Sequence, residues 1–229
     1  MKLSPKKSLG QNFLIDENVL NLIVKCGQIK KNDFVIEVGP GTGNLTEKIL
    51  NEKPKKIVVI EKDKKLANFL KIKFNNKIEI INKDILNYSL IDNRKNKLII
   101  FGNLPYNVST QVLSNLIKTN NIENICKSFV LMFQKEVADR IVAKYNSKNY
   151  GRLSILSSWK MEIEKIKEVE PKSFYPKPKV KSTILLFKPK SRFYQINNPK
   201  NLEHITNVFF NQRRKMIKKP LKFLFRNFN

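Results

Sequence analysis

The chain has 229 residues, and its 45 lysines and arginines against 19 aspartates and glutamates give a formal net charge of +26. This length suits one full-sized domain, or one domain with a small appendage, and 41% hydrophobic residues argue against a disordered chain. No apolar run reaches the ~18 residues of a membrane span. No apolar segment follows the basic N-terminus, and two cysteines and one histidine do not suit a disulfide framework or a His-rich metal site. A cytoplasmic protein without a metal is therefore expected.

Strand-length apolar runs alternate with helix-length periodic stretches through the first two thirds of the chain. The pattern predicts strands over 34–38, 57–60, 78–81, 98–101 and 129–133, and helices over 16–27, 44–52, 63–74, 109–118 and 134–144. Strands that alternate with helices imply right-handed crossovers and a mostly parallel sheet.

The pattern changes after Gly151. Two strand-like segments, 161–169 and 180–187, surround a proline-rich turn, and such a pair can add an antiparallel edge to a parallel sheet. Residues 187–199 resemble a linker, and residues 200–229 predict one or two basic helices. These features predict a domain over 1–190 and a small basic helical segment over 191–229.

Positive charge is concentrated at the C-terminal end. Residues 171–229 contain 15 basic residues and one acidic residue, with phenylalanines interleaved among them. A surface that follows a phosphate backbone explains this composition. The alternatives are a solvated basic face and a general bias toward lysine and asparagine in the source of the chain.

Four residues suited to ligand binding follow the first four predicted strands, at Gly39, Glu61, Asp84 and Asn103. The carboxyl ends of parallel strands lie at one edge of a sheet, where ligands bind, so one ligand could touch all four. Alternatively, Glu61 and Asp84 only cap the helices that follow them.

The glycine-rich loop at 39–43 distinguishes between nucleotide cofactors. It lacks the third glycine of the dinucleotide fingerprint, because position 44 is Asn44, and it lacks a P-loop ending. The spacing E-x-G-x-G-x-G from Glu37 resembles the first motif of S-adenosylmethionine-dependent methyltransferases. Glu61 could then accept both ribose hydroxyls of that cofactor, and Asp84 could accept its adenine amino group.

The sequence Asn103-Leu104-Pro105-Tyr106 fits an adenine amine as substrate. The N6 lone pair of adenine is delocalised into the ring. The Asn103 amide oxygen and a backbone carbonyl near Pro105 could accept both N6 hydrogens and free that lone pair for a methyl group. Proline preorganises the carbonyl, and Tyr106 could stack on a base that has left its helix or loop.

These motifs together resemble the ribosomal RNA adenine N6,N6-dimethyltransferase family, most closely its small-subunit type. The stretches that carry the resemblance are KSLGQNFL (7–14), VIEVGPGTGNLT (35–46), VVIEKD (58–63), FGNLPYNVST (101–110), QKEVADRI (134–141), YGRLS (150–154) and FYPKPKVKST (174–183). The resemblance implies a Rossmann-like class I methyltransferase fold and S-adenosylmethionine as cofactor. The cofactor site that it implies consists of Asn12, Leu14, Gly39, Glu61, Asp84 and Asn103, and it makes Tyr106 and Phe174 the rings that stack on the target adenine.

The resemblance also implies a substrate. It predicts transfer of two methyl groups to each of two adjacent adenosines in a hairpin loop near the 3′ end of small-subunit rRNA, or of a pre-30S-type particle, by a monomer. The predicted RNA contacts are Lys6, Lys7, Arg213, Arg214 and Lys215. Family members usually carry a helical domain that continues past 213–215, so a truncated small domain is expected.

Two other functions remain open. One is the related large-subunit rRNA methyltransferase that confers macrolide resistance, although the QKEVADRI and YGRLS stretches resemble the small-subunit type more closely. The other is a nucleic-acid-binding factor that keeps the fold without turnover. The intact motif at 103–106 and the two acidic residues Glu61 and Asp84 favour an active enzyme.

Overall fold

The computed structural model describes residues 5–6, 9–88, 97–211, 213 and 215–225. The strands are β1 (Phe13–Leu14), β2 (Phe34–Val38), β3 (Lys56–Ile60), β4 (Glu79–Ile81), β5 (Leu98–Asn103), β6 (Cys126–Gln134), β7 (Met161–Val169), β8 (Phe174–Tyr175) and β9 (Ser182–Pro189). The helices are α1 (Glu17–Gly27), α2 (Asn44–Asn51), α3 (Lys64–Phe74), α4 (Ser109–Lys118), α5 (Ile122–Ile125), α6 (Lys135–Ile141), α7 (Arg152–Lys160), α8 (Pro199–Asn211) and α9 (Lys218–Leu224).

Seven strands form the central sheet in the order β4-β3-β2-β5-β6-β9-β7. Strands β2 to β6 run parallel, and β9 pairs antiparallel with both β6 and β7. The predicted mostly parallel sheet with an antiparallel addition is confirmed, and the antiparallel strand lies one position in from the edge. The architecture is a Rossmann-like α/β fold. The short strands β1 and β8, which the sequence pattern did not predict, pair separately.

Both faces of the sheet are buried, as a parallel sheet requires. Alternate residues of β2 enter different clusters: Ile36 and Val38 pack on one face, and Val35 packs on the other. The helices begin at sequence signals that were visible beforehand. The Asp16 side chain accepts hydrogen bonds from the Asn18 and Val19 N–H groups and caps α1. The core therefore fixes the strand ends from which the polar residues project.

Helix α8 packs on the sheet domain, and α9 packs on α8. Helix α8 contacts α7, a helix that the sequence pattern did not predict. Glu203 of α8 accepts hydrogen bonds from Ser114 and Lys118 of α4 at 2.8 and 2.9 Å. The division into 1–190 and 191–229 stays a prediction. Within the described residues, no helix combines the length and apolarity that crossing a bilayer demands.

Candidate active site

A cleft opens where strands β2 to β5 end, and residues 9–14 also line it. It encloses about 1170 Å³ of empty space, mouth included. The predicted site residues that line it are Asn12, Leu14, Gly39, Glu61, Asp84, Asn103, Pro105 and Tyr106. The structure thus brings the predicted cofactor residues and the Asn103–Tyr106 motif to one cleft.

The glycine loop leaves room beside β2. Gly39 and Gly41 have φ angles of +66° and +58°, a conformation that favours glycine. A Cβ on Gly41 would lie 2.8 Å from the Phe13 ring, so this residue must be small for the N-terminal segment to pack here. A Cβ on Gly39 would have no neighbour closer than 3.9 Å, and that open space belongs to the cleft.

Glu61 projects into the cleft from the end of β3 and is 6% exposed. Its Oε1 accepts a hydrogen bond from the Asp63 N–H at 2.8 Å, and its Oε2 accepts one from the Gly41 N–H at 3.2 Å. Burial raises the pKa of Glu61, and these N–H donors oppose the rise. Each carboxylate oxygen retains a second lone pair, so two hydroxyls can still bind. Asp63, and not Glu61, caps α3.

Asp84 both caps a 3₁₀ turn and lines the cleft. Its Oδ1 accepts a hydrogen bond from the Leu86 N–H at 3.0 Å, and its Oδ2 pairs with the Lys62 ammonium at 2.8 Å. The hydrogen bond from Lys62 is the main cause that lowers the pKa of Asp84. The capping alternative is therefore correct for Asp84, but it does not remove the residue from the cleft. An ionised carboxylate here can accept an amino group.

Glu37 is a cleft residue to which sequence reasoning assigned no role. It is 2% exposed, and the Thr46 hydroxyl donates to its Oε2 at 2.6 Å. Burial raises the pKa of Glu37 to about 8. The sequence signal was an acidic residue inside an otherwise apolar strand. A cationic ligand in the cleft would favour the ionised form of this carboxyl.

Asn103 ends β5, and its side-chain amide is held by the N-terminal segment. Its Nδ2 donates to the Asn12 backbone carbonyl at 2.9 Å. Because the nitrogen makes this bond, the Oδ1 atom is the one that can accept from a ligand. Asn12 in turn donates from its own side chain to the Gly10 carbonyl at 3.3 Å. The arrangement presents an amide acceptor in the cleft.

The residues after Asn103 turn into α4. The Pro105 carbonyl accepts hydrogen bonds from the Val108 and Ser109 N–H groups at 3.1 and 3.0 Å, so this oxygen is directed at the start of the helix. The Tyr106 hydroxyl shares a 2.8 Å hydrogen bond with the Ser182 hydroxyl, and burial raises the pKa of Tyr106. Ser182 is fully buried at the start of β9. This bond fixes the Tyr106 ring from a distant part of the chain.

Asp63 anchors the N-terminal segment beside the cleft. Its Oδ2 lies 2.8 Å from the Lys6 ammonium and accepts a 3.3 Å hydrogen bond from Gln11. Burial alone would raise the pKa of Asp63, but hydrogen bonds from Lys6, Lys65 and Gln11 outweigh it and lower the pKa. Lys6, predicted as an RNA contact, is thus engaged in an intramolecular ion pair.

Phe174 does not line the cleft. Its Cα is paired with that of Leu14 between β8 and β1, and the ring is 1% exposed because it packs in the core. The next residue, Tyr175, points to the opposite side of the strand and is 61% exposed. A ring buried in this way cannot meet a base without movement of β1 and β8. Stacking of Phe174 on the target adenine stays a prediction, because this conformation does not bring its ring to the cleft.

The remaining predicted RNA contacts are Lys7, Arg213, Arg214 and Lys215. Arg213 donates to the Lys148 and Tyr150 carbonyls at 3.1 and 3.0 Å, so its guanidinium serves a contact within the chain. Lys215 is exposed. Lys7 and Arg214 lie outside the described residues.

The cleft fits S-adenosylmethionine by its own chemistry. Open space beside Gly39, two acceptor oxygens on Glu61 and an ionised Asp84 match an adenosine group. Among the described residues, no cluster of His, Cys, Asp and Glu side chains could hold a metal ion. Cys26 and Cys126 are free thiols. Fold and cleft together define a class I, S-adenosylmethionine-dependent methyltransferase.

Comparisons with known proteins give the family. A family model described as ribosomal RNA adenine dimethylase matches residues 2–229. A Pelagibacter ubique protein named ribosomal RNA small subunit methyltransferase A is 55% identical over 227 residues, which is 99% of this chain and 86% of that protein. An Ehrlichia chaffeensis protein of the same name is 40% identical over 231 residues, with 99% and 86% covered. The chain belongs to the ribosomal RNA adenine dimethylase family.

Solved structures agree with this assignment. A dimethyladenosine transferase from Plasmodium falciparum superposes with a TM-score of 0.80 at 30% identity, over 92% of this chain and 74% of that chain. The 23S rRNA methyltransferase ErmE superposes with a TM-score of 0.73 at 22% identity, over 92% and 83% of the two chains. The second likeness shows the fold alone.

Proposed function

We propose that the protein dimethylates N6 of two adjacent adenosines in the 3′-terminal hairpin loop of small-subunit rRNA. We further propose that it acts as a cytoplasmic monomer on the rRNA or on a precursor particle of the small subunit. The names of the 55% and 40% identical relatives support the small-subunit target. The observation that carries the chemistry is the 2.9 Å bond from Asn103 to the Asn12 carbonyl, because it turns Oδ1 into the cleft's amine acceptor.

The chain's own residues prepare the adenine amine. When bound, S-adenosylmethionine supplies a methyl group on a positively charged sulfur. Asn103 Oδ1 accepts one N6 hydrogen. The Pro105 carbonyl is committed to α4, so the Leu104 carbonyl is the candidate for the other hydrogen. Two acceptors favour a pyramidal N6, whose lone pair is then not delocalised into the ring and can attack the methyl group. The N–C bond would form as the bond between the methyl carbon and the cofactor sulfur breaks, the sulfur would leave as a neutral thioether, and the N6 proton would pass to water.

Other residues hold the two reactants. Glu61 and Asp84 bind the adenosine part of the cofactor through their carboxylates. The Tyr106 ring, fixed through Ser182, packs against the adenine once that base has left its loop. Residues 9–14, which also line the cleft, limit the access of water to it.

The two alternatives receive less support. ErmE, a 23S rRNA methyltransferase, shares the fold at 22% identity, whereas the Pelagibacter ubique and Ehrlichia chaffeensis relatives, at 55% and 40% identity, have small-subunit names. A non-catalytic factor would not need the acceptor geometry of Asn103 or the buried Glu61 in one cleft.

The decisive experiment is transfer of labelled methyl groups to ribosomal subunits that lack the modification, followed by mapping of the modified bases. We expect dimethylation of two adjacent adenosines in small subunits and none in large subunits. Methylation of the large subunit would support the macrolide-resistance type. RNA binding without transfer to either subunit would support the non-catalytic factor.

A further inference from the structure

The loop between α6 and α7, residues 142–151, presents an exposed ring among positive charges. Tyr145 is 77% exposed. Residues 140–152 contain four cations and no acidic residue, and all four cations are exposed: Arg140, Lys144, Lys148 and Arg152. No residue of this loop lines the methyl-transfer cleft.

The exposed ring is supported from behind. Tyr145 meets Tyr150 edge to face with ring centroids 5.9 Å apart, and Tyr150 meets Phe210 of α8 in the same way at 6.1 Å. Two backbone turns shape the loop, in which the Ser147 N–H bonds to the Lys144 carbonyl and the Tyr150 N–H bonds to the Ser147 carbonyl, each at 3.1 Å. An exposed ring held this way loses little conformational freedom when a flat partner stacks on it.

Helix α8 and the residues after it hold this loop. The Arg213 guanidinium donates to the Lys148 and Tyr150 carbonyls, and the Arg152 guanidinium donates to Asn207 of α8 at 3.2 Å. Residues 203, 207 and 210 have the spacing of one helix face, and that face is turned toward α7 and the loop. Arg213 therefore stabilises the position of the loop from within the protein.

We propose that Tyr145 stacks on an unpaired base of the substrate RNA, at a site separate from the methyl-transfer cleft, with the surrounding cations on the phosphates. The inference rests on the proposed function, which supplies the RNA. Stacking on an aromatic side chain beside cations is the general way in which proteins bind single-stranded nucleic acid. In this arrangement Arg213 is a positioning residue, which acts on RNA binding through the loop.

The first test compares Tyr145→Ala with Tyr145→Phe in filter binding to unmodified small subunits and to protein-free small-subunit rRNA. We expect Tyr145→Ala to raise Kd at least about fivefold with both probes, the lower limit for loss of one stacked base. Tyr145→Phe keeps the ring and should stay within about twofold of the wild type. Ile72→Ala is the control, because Ile72 is 81% exposed on α3, outside the basic C-terminal region, and its loss should leave Kd unchanged.

The second test separates positioning from phosphate contact by keeping the positive charge at position 213. Arg213→Lys keeps that charge but removes the planar guanidinium that donates to two loop carbonyls. If Arg213 acts through the loop, Arg213→Lys and Arg213→Ala should raise Kd by similar factors. Wild-type affinity of Arg213→Lys, with a slope of log K against log salt reduced by about 1 in Arg213→Ala alone, would instead assign Arg213 to a phosphate and overturn its role in the loop.

Other results would overturn the stacking site itself. Wild-type affinity of Tyr145→Ala for both probes would refute it, as would a loss confined to the particle, which would indicate contact with a ribosomal protein. Labelled methyl transfer by the wild-type protein in the same preparation distinguishes the two proposals. If the wild type methylates small subunits and Tyr145→Ala binds normally, only the stacking site fails. If the wild type transfers nothing, the proposed function fails.

Discussion

The cleft and the C-terminal helices use polar side chains in different ways. In the cleft, Glu61, Asp84 and Asn103 each make hydrogen bonds that fix the side chain while it still faces a ligand. Around α8 and α9, Lys215 is exposed and Arg213 bonds to loop carbonyls. The cleft therefore depends on the positions of individual atoms, whereas the C-terminal surface depends on charge and on the shape of a loop. Single substitutions should have large effects in the first region and small effects in the second.

The largest effect is expected for Asn103→Ala. Loss of the Oδ1 acceptor should lower kcat about 10²–10³-fold, as removal of one preorganised hydrogen-bonding group does in other enzymes. RNA binding should persist, because the C-terminal surface is untouched. Single-turnover methyl transfer and filter binding on the same preparation measure the two quantities.

Asn115→Ala provides the control for Asn103→Ala. Asn115 is exposed on α4 and does not line the cleft, so kcat should stay that of the wild type. Methyl transfer by Asn103→Ala at the wild-type rate would show that the amide is not the amine acceptor. The main evidence that the cleft is more sensitive to single substitutions than the C-terminal surface would then be lost.

The second effect concerns stability in the ligand-free protein. Burial raises the pKa of Glu37 to about 8 from an ordinary value of 4.5, so the folded state keeps a proton that the unfolded state loses. This contribution to stability is complete below pH 4.5 and is lost as the pH rises through about 8. Glu37→Gln should therefore gain on the order of 4 kcal/mol over the wild type between about pH 5 and pH 9.

Urea unfolding at both pH values measures the free energy of unfolding for Glu37→Gln and the wild type. Glu47→Gln removes the same charge from the exposed surface of α2 and should change stability little at either pH. If the difference between Glu37→Gln and the wild type does not grow with pH, the Glu37 carboxyl is ionised in the folded protein.

The sequence alone predicts the residues of the cleft but not the contacts of the C-terminal surface. Strand ends follow from apolar runs, and a parallel sheet places those ends together, so Gly39, Glu61, Asp84 and Asn103 could be assigned to one cleft. The partners of these residues could not, because Asn12 and Ser182 are brought in by tertiary packing from 91 and 76 residues away.

The C-terminal surface and Phe174 show the limit most clearly. A count of cations predicts an RNA partner, but it cannot say which cation bonds to the protein's own carbonyls, as Arg213 does. A family motif names Phe174, yet the pairing of β8 with β1 decides that its ring is buried and that Tyr175 is exposed. Neither result depends on local sequence.

The third prediction concerns cofactor binding. Glu61→Gln should weaken S-adenosylmethionine binding about tenfold, because an amide offers one acceptor oxygen where the carboxylate offers two. Burial raises the pKa of Glu61 above its ordinary value of 4.5. The affinity of the wild type for S-adenosylmethionine should therefore begin to fall at a pH above 4.5, as this carboxylate takes up a proton. Calorimetric titration across that pH range should show this fall in the wild type and a smaller one in Glu61→Gln. An equal pH dependence in both proteins would assign the titration to another group.

The fourth effect is the positioning of Tyr106 by Ser182. Ser182→Ala should lower kcat about three- to tenfold with little change in the KM for RNA, because the ring loses a hydrogen bond of about 1 kcal/mol that fixes it. Tyr106→Phe should have the same effect, and the double variant should be no worse than either single variant. Ser157→Ala is the control, since Ser157 is equally buried and its hydroxyl has no partner in the described part of the chain. Additive losses in the double variant would show that Ser182 acts elsewhere.

The smallest effect is expected at the C-terminal surface itself. Lys215 is exposed, and a single phosphate contact from such a residue should contribute about 1 to the slope of log K against log salt. Lys215→Ala should accordingly raise the Kd for unmodified small subunits about two- to threefold at moderate salt and reduce that slope. Lys31→Ala is the matched control, because Lys31 is exposed before β2, at the end of the sheet opposite the cleft, and its removal should leave the slope unchanged. Equal slopes for Lys215→Ala and Lys31→Ala would mean that net charge alone, without a defined contact, attracts the RNA, and the C-terminal helices would then be a solvated basic face.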